Sequence, residues 1–161
     1  MGFFDGYNIA TSGMSAQRTR IDVTSANIAN AKTTNTIEGG PYKKQEVVFE
    51  EILLDKSNKK DAASGNMSML DKDRQLDLKA SDSSLRGVGV KSIVESDAKP
   101  VMRFEPQHPD ANAQGYVAYP DINPVVEMVN LIEARRSYEA NVAAFNTHKN
   151  IDTKTLDILK A

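Results

Sequence analysis

The sequence predicts a mainly α fold with a small β insert, in which long N- and C-terminal helices pair and short strands and a polar loop lie between them. Two apolar series with a seven-residue beat, one at each end, and a middle of different composition carry this prediction. The chain has 161 residues, enough for one domain. It divides into a helical segment 1–35, a β-containing insert 36–123 with a mobile loop at about 55–86, and a helical segment 124–161.

At the N-terminal end Tyr7, Met14, Ile21 and Ile28 recur every seven residues, with Ala10, Gln17, Thr24 and Ala31 three residues after each. Apolar or Ala residues fill six of these eight positions, as a helix packing along a narrow stripe requires. The helix is expected to start between Asn8 and Ser15 and to stop before Thr33 and Thr34, whose β-branched side chains disfavour continuation.

The C-terminal end repeats the pattern. Met128, Leu131, Arg135, Tyr138, Val142, Phe145, Lys149, Asp152, Leu156 and Leu159 fall on alternate seam positions, and seven of the ten are apolar. Asn123 is a candidate N-cap with Pro124 at the first helical position, so one helix is expected from Pro124 to about Lys160. Periodicity alone fits either a coiled-coil seam between the two end helices or an ordinary two-helix layer.

Between the ends, PYKKQEVVFEEILL from Pro41 reads as a strand, as do VGVKSIVES from Val88 and KPVMRFEP from Lys99, with a turn near Ser96 to Ala98. The Lys/Asp/Ser/Asn-rich tract from Asp55 to Ser84 carries few order signals. QHPDANAQGYVAYPDINP, preceded by Pro106 and punctuated by Pro109, Gly115, Pro120 and Pro124, reads as an extended, turn-rich connection.

Chemistry is hard to assemble from these residues. A formal net charge of -2 gives no basic stripe for nucleic acid. Without cysteine there is neither a disulfide nor a thiolate metal site. MGFFDGYNIATSGMS lacks the basic and apolar regions of a cleaved signal peptide, and no apolar run approaches 18 residues, so no membrane insertion is expected.

His108 and His148 are forty residues apart, and neither has a nucleophile or second ligand beside it. His108 reads as a turn residue and His148 as a surface or interface residue. Asp71-Lys-Asp73 begins like a calcium loop, but Leu76 stands where that loop needs Gly and no Glu falls at the twelfth position. Asn66-Met-Ser68 is an acceptor triplet by pattern only, and Gly87-Val-Gly89 lacks the third Gly and the following helix of a dinucleotide loop. No catalytic set, metal, cofactor or small-molecule substrate is expected.

The stretch TSANIANAKTTNT is therefore of interest for packing. Asn27 and Asn30 share a helix face, and Ala26, Ala29 and Ala31 strip bulk from the surface beside them. Small residues let a second backbone come close, and a buried Asn that must satisfy both donor and acceptor fixes register. A plain helix end, with Asn30 as a left-handed C-cap, accounts for the same residues.

SANIANAKTT after the first helix, HPDANAQGYVAYP before the second, and EMVNLIEARRSYEANV within it together resemble the flagellar basal-body rod proteins, most closely a component of the proximal rod. The resemblance covers residues 1–54 and 87–161. Its polar tract, 55–86, looks longer and more polar than the family leads one to expect.

The resemblance implies a non-enzymatic structural subunit whose paired end helices, as a coiled coil, stack helically into the tubular periplasmic drive shaft. That shaft transmits torque and encloses the export channel. It also implies type III export without a cleaved signal peptide. The implied partners are copies of the chain and other rod proteins, with the basal-body rings and the export gate as further candidates.

Packing is expected at Ile21, Asn27, Ile28 and Asn30 of the first helix and at Met128, Leu131, Tyr138, Asn141, Val142 and Phe145 of the second. Competing readings are another axial component, such as a different rod or hook-junction protein, a soluble helical adaptor, and an enzyme built on His108 and Asp110.

Overall fold

A computed structural model of the chain describes residues 4–54 and 86–160. Its elements, in chain order, are α1 (Asp5–Ala29), β1 (Gln45–Leu53), β2 (Arg86–Glu95), β3 (Val101–Phe104), β4 (Tyr116–Tyr119) and α2 (Pro124–Lys160). Two long helices with short antiparallel strands between them make the fold mainly α with a small β insert.

Helix α1 starts at Asp5, earlier than the Asn8 to Ser15 the sequence suggested. Asp5 in the first turn suits the positive end of the helix dipole. The helix ends at Ala29, so residues 30–35 lie outside it. Asn30 is its C-cap with φ -96°, hence not in the left-handed conformation considered above. Its side-chain Nδ2 donates to Ala26 O at 3.0 Å, and Thr33 Oγ1 donates to Asn30 Oδ1 at 3.1 Å. The last turn is thus closed by the chain's own side chains.

Helix α2 begins where Asn123 and Pro124 placed it. Asn123 Oδ1 accepts the Val125 N–H at 3.0 Å, and Asn123 O accepts that of Glu127 at 3.1 Å.

Among the described residues the strands form two separate two-stranded sheets. β1 pairs antiparallel with β2, from Gln45 opposite Glu95 to Leu53 opposite Arg86, with a bulge between Val48 and Phe49. β3 pairs antiparallel with β4, from Val101 opposite Tyr119 to Phe104 opposite Tyr116. β4 lies in the segment the sequence suggested was only an extended connection. Four residues are too short to show alternation beside Gly115 and Pro120, yet Val117 is fully buried. Arg86, placed at the edge of the expected mobile loop, opens β2. The rest of that loop, with the calcium-like and acceptor patterns, lies outside the described residues.

Local side chains hold the connection between β3 and β4. Asn112 Oδ1 accepts the N–H groups of Gln114 and Tyr116, both at 2.9 Å, and Gly115 turns the chain with φ 81°. His108 sits in this turn, where its Nδ1 accepts the Asp110 N–H at 3.1 Å. Thr34 Oγ1 donates to Asp110 Oδ2 at 2.6 Å, tying the connection to the segment after α1. Gly87 and Gly89 belong to β2. A Cβ at Gly87 would stand 2.7 Å from Ser12 Oγ, so the glycine lets α1 lie close on the sheet.

Among the described residues, the buried apolar ones are small: Ala10, Ala16, Val23 and Ala31 of α1 and its end, Ala134 of α2, and Val117 of β4. Burying Val or Leu stabilises by about 1.5–3 kcal/mol each, and Ala contributes less. Close approach of backbones, more than buried bulk, therefore holds the helices together.

Candidate functional site: a packing face on the helix pair

α1 and α2 run antiparallel against each other, and their contacts advance in matched steps of about seven residues. A Cβ at Gly6 would stand 2.6 Å from the His148 ring, and one at Gly13 would stand 2.8 Å from Asn141 Nδ2. Arg20 Nη2 meets Glu133 Oε2 at 3.4 Å, and Asn27 Nδ2 meets Glu127 Oε2 at 3.4 Å. Ala134, fully buried, fills the step between Asn141 and Glu127.

The seam is therefore Gly6, Gly13, Arg20 and Asn27 against His148, Asn141, Ala134 and Glu127. This differs from the expected seam in one series on each helix. Ala10, Gln17, Thr24 and Ala31 are in place, while Tyr7, Met14, Ile21 and Ile28 stand one residue past it. On α2, Met128, Arg135, Val142 and Lys149 stand one residue past as well.

One residue is about 100° around a helix. Because the helices are antiparallel, that step turns toward the same side of the pair on both. Ala16 and Val23, three residues beyond Gly13 and Arg20, turn to the opposite flank. That flank also carries Ser12, whose Oγ accepts the Val88 N–H of β2 at 3.3 Å.

The pair thus has a sheet-covered side and a side on which the apolar series of both helices meet. Met14, Ile21, Ile28, Leu131, Tyr138, Val142 and Phe145 on that side are half-buried, and Met128 is 51% exposed. Tyr7 and Phe145 close it at one end with rings edge-to-face at 4.9 Å. Val125, Val129 and Ile132 extend apolar surface around the outside of α2. Monomers rarely leave a contiguous apolar face of this kind free of a partner.

The expected packing residues fall into three groups. Ile21, Ile28, Met128, Leu131, Tyr138, Val142 and Phe145 share the apolar side. Asn141 lies in the seam under Gly13. Asn27, 1% exposed, is enclosed within its own chain, and Asn30 serves its own helix end. Among the alanines of TSANIANAKTTNT, Ala31 is buried, Ala26 half-buried and Ala29 exposed. Sequence reasoning named Asn27 but missed Gly6, Gly13 and Arg20, because apart from the asparagines it ranked positions by hydrophobicity. A heptad of small and polar residues beside the apolar one was the available signal.

Ionisable groups pin both ends of the pair. Tyr7 Oη donates to Asp152 Oδ2 at 2.6 Å, a bond that raises the Tyr7 pKa above its usual 10.0, with burial and the Asp152 charge adding to it. Burial alone would lower the pKa of Lys44, but its pairs with Glu46 at 3.1 Å and Glu127 at 3.3 Å hold it above 10.5.

Both raised values give the same sign. The stabilisation is fully present below the unfolded pKa and lost as pH rises through the folded one. Helicity measured by circular dichroism should therefore fall as pH climbs past about 10, and Tyr7→Phe should flatten part of that fall. An alkaline profile unchanged in Tyr7→Phe would show that this bond does not hold the helix end.

Among the described residues no cluster of His, Asp and Glu could hold a metal, and no helix is long and apolar enough to cross a membrane.

The chain matches the models "Flagella basal body rod protein" over residues 8–35 and "Flagellar basal body rod FlgEFG protein C-terminal" over residues 113–158. These two stretches take in most of α1 and of α2, and both models describe flagellar basal-body rod proteins. Among individual proteins it is 37% identical to the flagellar basal-body rod protein FlgC of Borreliella burgdorferi, over 99% of each chain. It is also 37% identical to FlgC of Bacillus subtilis, over 99% of this chain and all of that one. FlgC of Salmonella typhimurium is 35% identical over 98% of each. The chain belongs to the FlgC family of flagellar basal-body rod proteins; it is a structural subunit and not an enzyme.

Proposed function

We propose that the chain builds the proximal rod, with residues 1–35 and 124–161 forming its core as a coiled-coil pair and residues 36–123 forming an attached β insert. Subunits stack helically into a tube that encloses the export channel and transmits torque. The observation that carries this reading is the apolar side of the helix pair, supplied jointly by Ile21, Ile28, Leu131, Tyr138 and Val142. Identical subunits that meet through two different surfaces with a rotation that does not close form a filament. The partners are copies of the chain and other rod proteins, with the surrounding rings and the export gate as its remaining neighbours. The subunit reaches the periplasm through the flagellar type III apparatus.

The test is genetic and biochemical. Deletion of the gene should abolish rods and swimming, and the complementing chain should copurify with basal bodies. Rods of normal appearance in the deletion strain would overturn the proposal.

A further inference from the structure

Asn27 does more than fill space in the seam. Its Oδ1 accepts the Gln45 N–H at 2.9 Å and its Nδ2 donates to the Gln45 carbonyl at 2.8 Å. That pair of bonds is the exchange a residue on a neighbouring antiparallel strand would make. Gln45 is the first residue of β1 and already faces Glu95 of β2 in the sheet. The carboxamide thus stands in for a third strand at this position.

The same side chain reaches both other elements. Tyr42 Oη donates to Oδ1 at 3.2 Å, and Nδ2 also approaches Glu127 Oε2 at 3.4 Å. The Glu127 carboxylate, buried in the first turn of α2, is matched by Lys44 at 3.3 Å and by Asn130 Nδ2 at 3.4 Å. Lys44 O in turn accepts the Ser96 N–H at 2.7 Å, just beyond β2. One buried amide therefore bonds to backbone in β1 and to a carboxylate in α2 while it is itself part of α1.

We infer that Asn27 is the joint that ties the helix pair to the β1–β2 sheet, so that the first turns of α2 and the start of β1 are held or released together. Only an amide can do this at this length. Asp lacks the donor for the Gln45 carbonyl and would set a second carboxylate against Glu127. Leu would deprive the Gln45 N–H and C=O of their side-chain partner and would remove the Asn27 contact of the buried Glu127 carboxylate, leaving it Lys44 and Asn130. Asn30, three residues on, spends its amide on Ala26 and Thr33, so the two asparagines of one motif have different work.

Within an assembled rod, the joint would pass load from the helical core into the insert. That consequence rests on the rod reading, whereas the joint itself is a property of the single chain.

Amide hydrogen exchange on the purified full chain tests it. In Asn27→Leu, exchange at Gln45, at Ser96 and across residues 127–131 should rise together by more than tenfold. In Asn30→Leu those sites should remain as in the parent. A rise at Gln45 alone, or no rise, would overturn the inference, as would a parent chain with no protection at these amides. Should Asn27→Leu fail to fold, Tyr42→Phe and Lys44→Met each remove one partner and should raise exchange at the same three places by about threefold. Local, unshared responses in both would again sink it.

Discussion

Gly13→Leu should destabilise the helix pair by about 3 kcal/mol, at the upper end of the usual cost of overpacking a close contact. At an ordinary helical position the change would stabilise, because Gly costs about 1 kcal/mol relative to a good helix former. Here a Cβ alone would stand 2.8, 3.0 and 3.1 Å from three side-chain atoms of Asn141. Three further carbons have no room unless α1 and α2 separate, and separation would also loosen the contacts at Gly6 and Arg20. Gly13→Ala is the more delicate variant, since its propensity gain opposes a clash that the Asn141 side chain can partly relieve by turning.

Thermal unfolding of Gly13→Leu, Asn141→Ala and the double variant decides the matter. The expected outcome is that Asn141→Ala recovers a substantial part of the loss in the double variant, the coupling that residues in contact produce. If Gly13→Leu unfolds at the parent temperature, or if the two effects simply add, the seam does not run through Gly13.

That seam also shows where the sequence was readable and where it was not. Both helices, the Asn123–Pro124 start of α2 and β1 to β3 were legible, because each is written in local chemistry: heptad spacing, an N-cap before a proline, β-branched alternation. Ala10, Thr24 and Ala31 were legible as seam positions on the same basis. Gly6, Gly13 and Ala134 were not, since they gain stability from the approach of a partner far away in the chain, and hydrophobicity carries no trace of that; Asn141 was legible as a packing residue, but its place against Gly13 was not. Asn27 was singled out as a buried amide that fixes register, yet its partner in β1 contributes backbone atoms of Gln45. Backbone has no sequence signature. β4 escaped for a third reason: it is four residues long, and its one fully buried side chain, Val117, is hidden among turn-forming residues. The apolar series of α1 and α2 is legible in the sequence, but periodicity alone reads it as the contact between the two helices, because burial within one chain is the default explanation of an apolar heptad.

Ile21→Glu combined with Val142→Glu should abolish rod assembly and swimming while leaving the isolated chain folded. The asymmetry follows from where these side chains stand. Each is half-buried in the single chain and lies one residue past the seam, on the side away from the sheet. Replacing it there removes only part of a buried side chain's stabilisation, on the order of 1 kcal/mol each. In a stacked assembly the same positions would be enclosed by a neighbour, and a carboxylate taken out of water without a partner is far more costly. Two such charges per subunit, repeated at each contact along a filament, exceed what a standard interface can absorb.

The control is Arg18→Glu on the exposed outer face of α1, which changes charge by twice as much at one site yet should leave assembly intact. Circular dichroism of the purified variants establishes the fold, and electron microscopy of basal bodies from cells carrying only the variant establishes the rod. Swimming cells with complete rods in the double glutamate variant would show that subunits do not meet through this side of the helix pair. Loss of the fold in the purified variant would instead place Ile21 and Val142 inside the monomer's own core. The half-buried state of both argues for a chain that folds but does not assemble, since residues held in a monomer's core do not keep that much of their surface open to water.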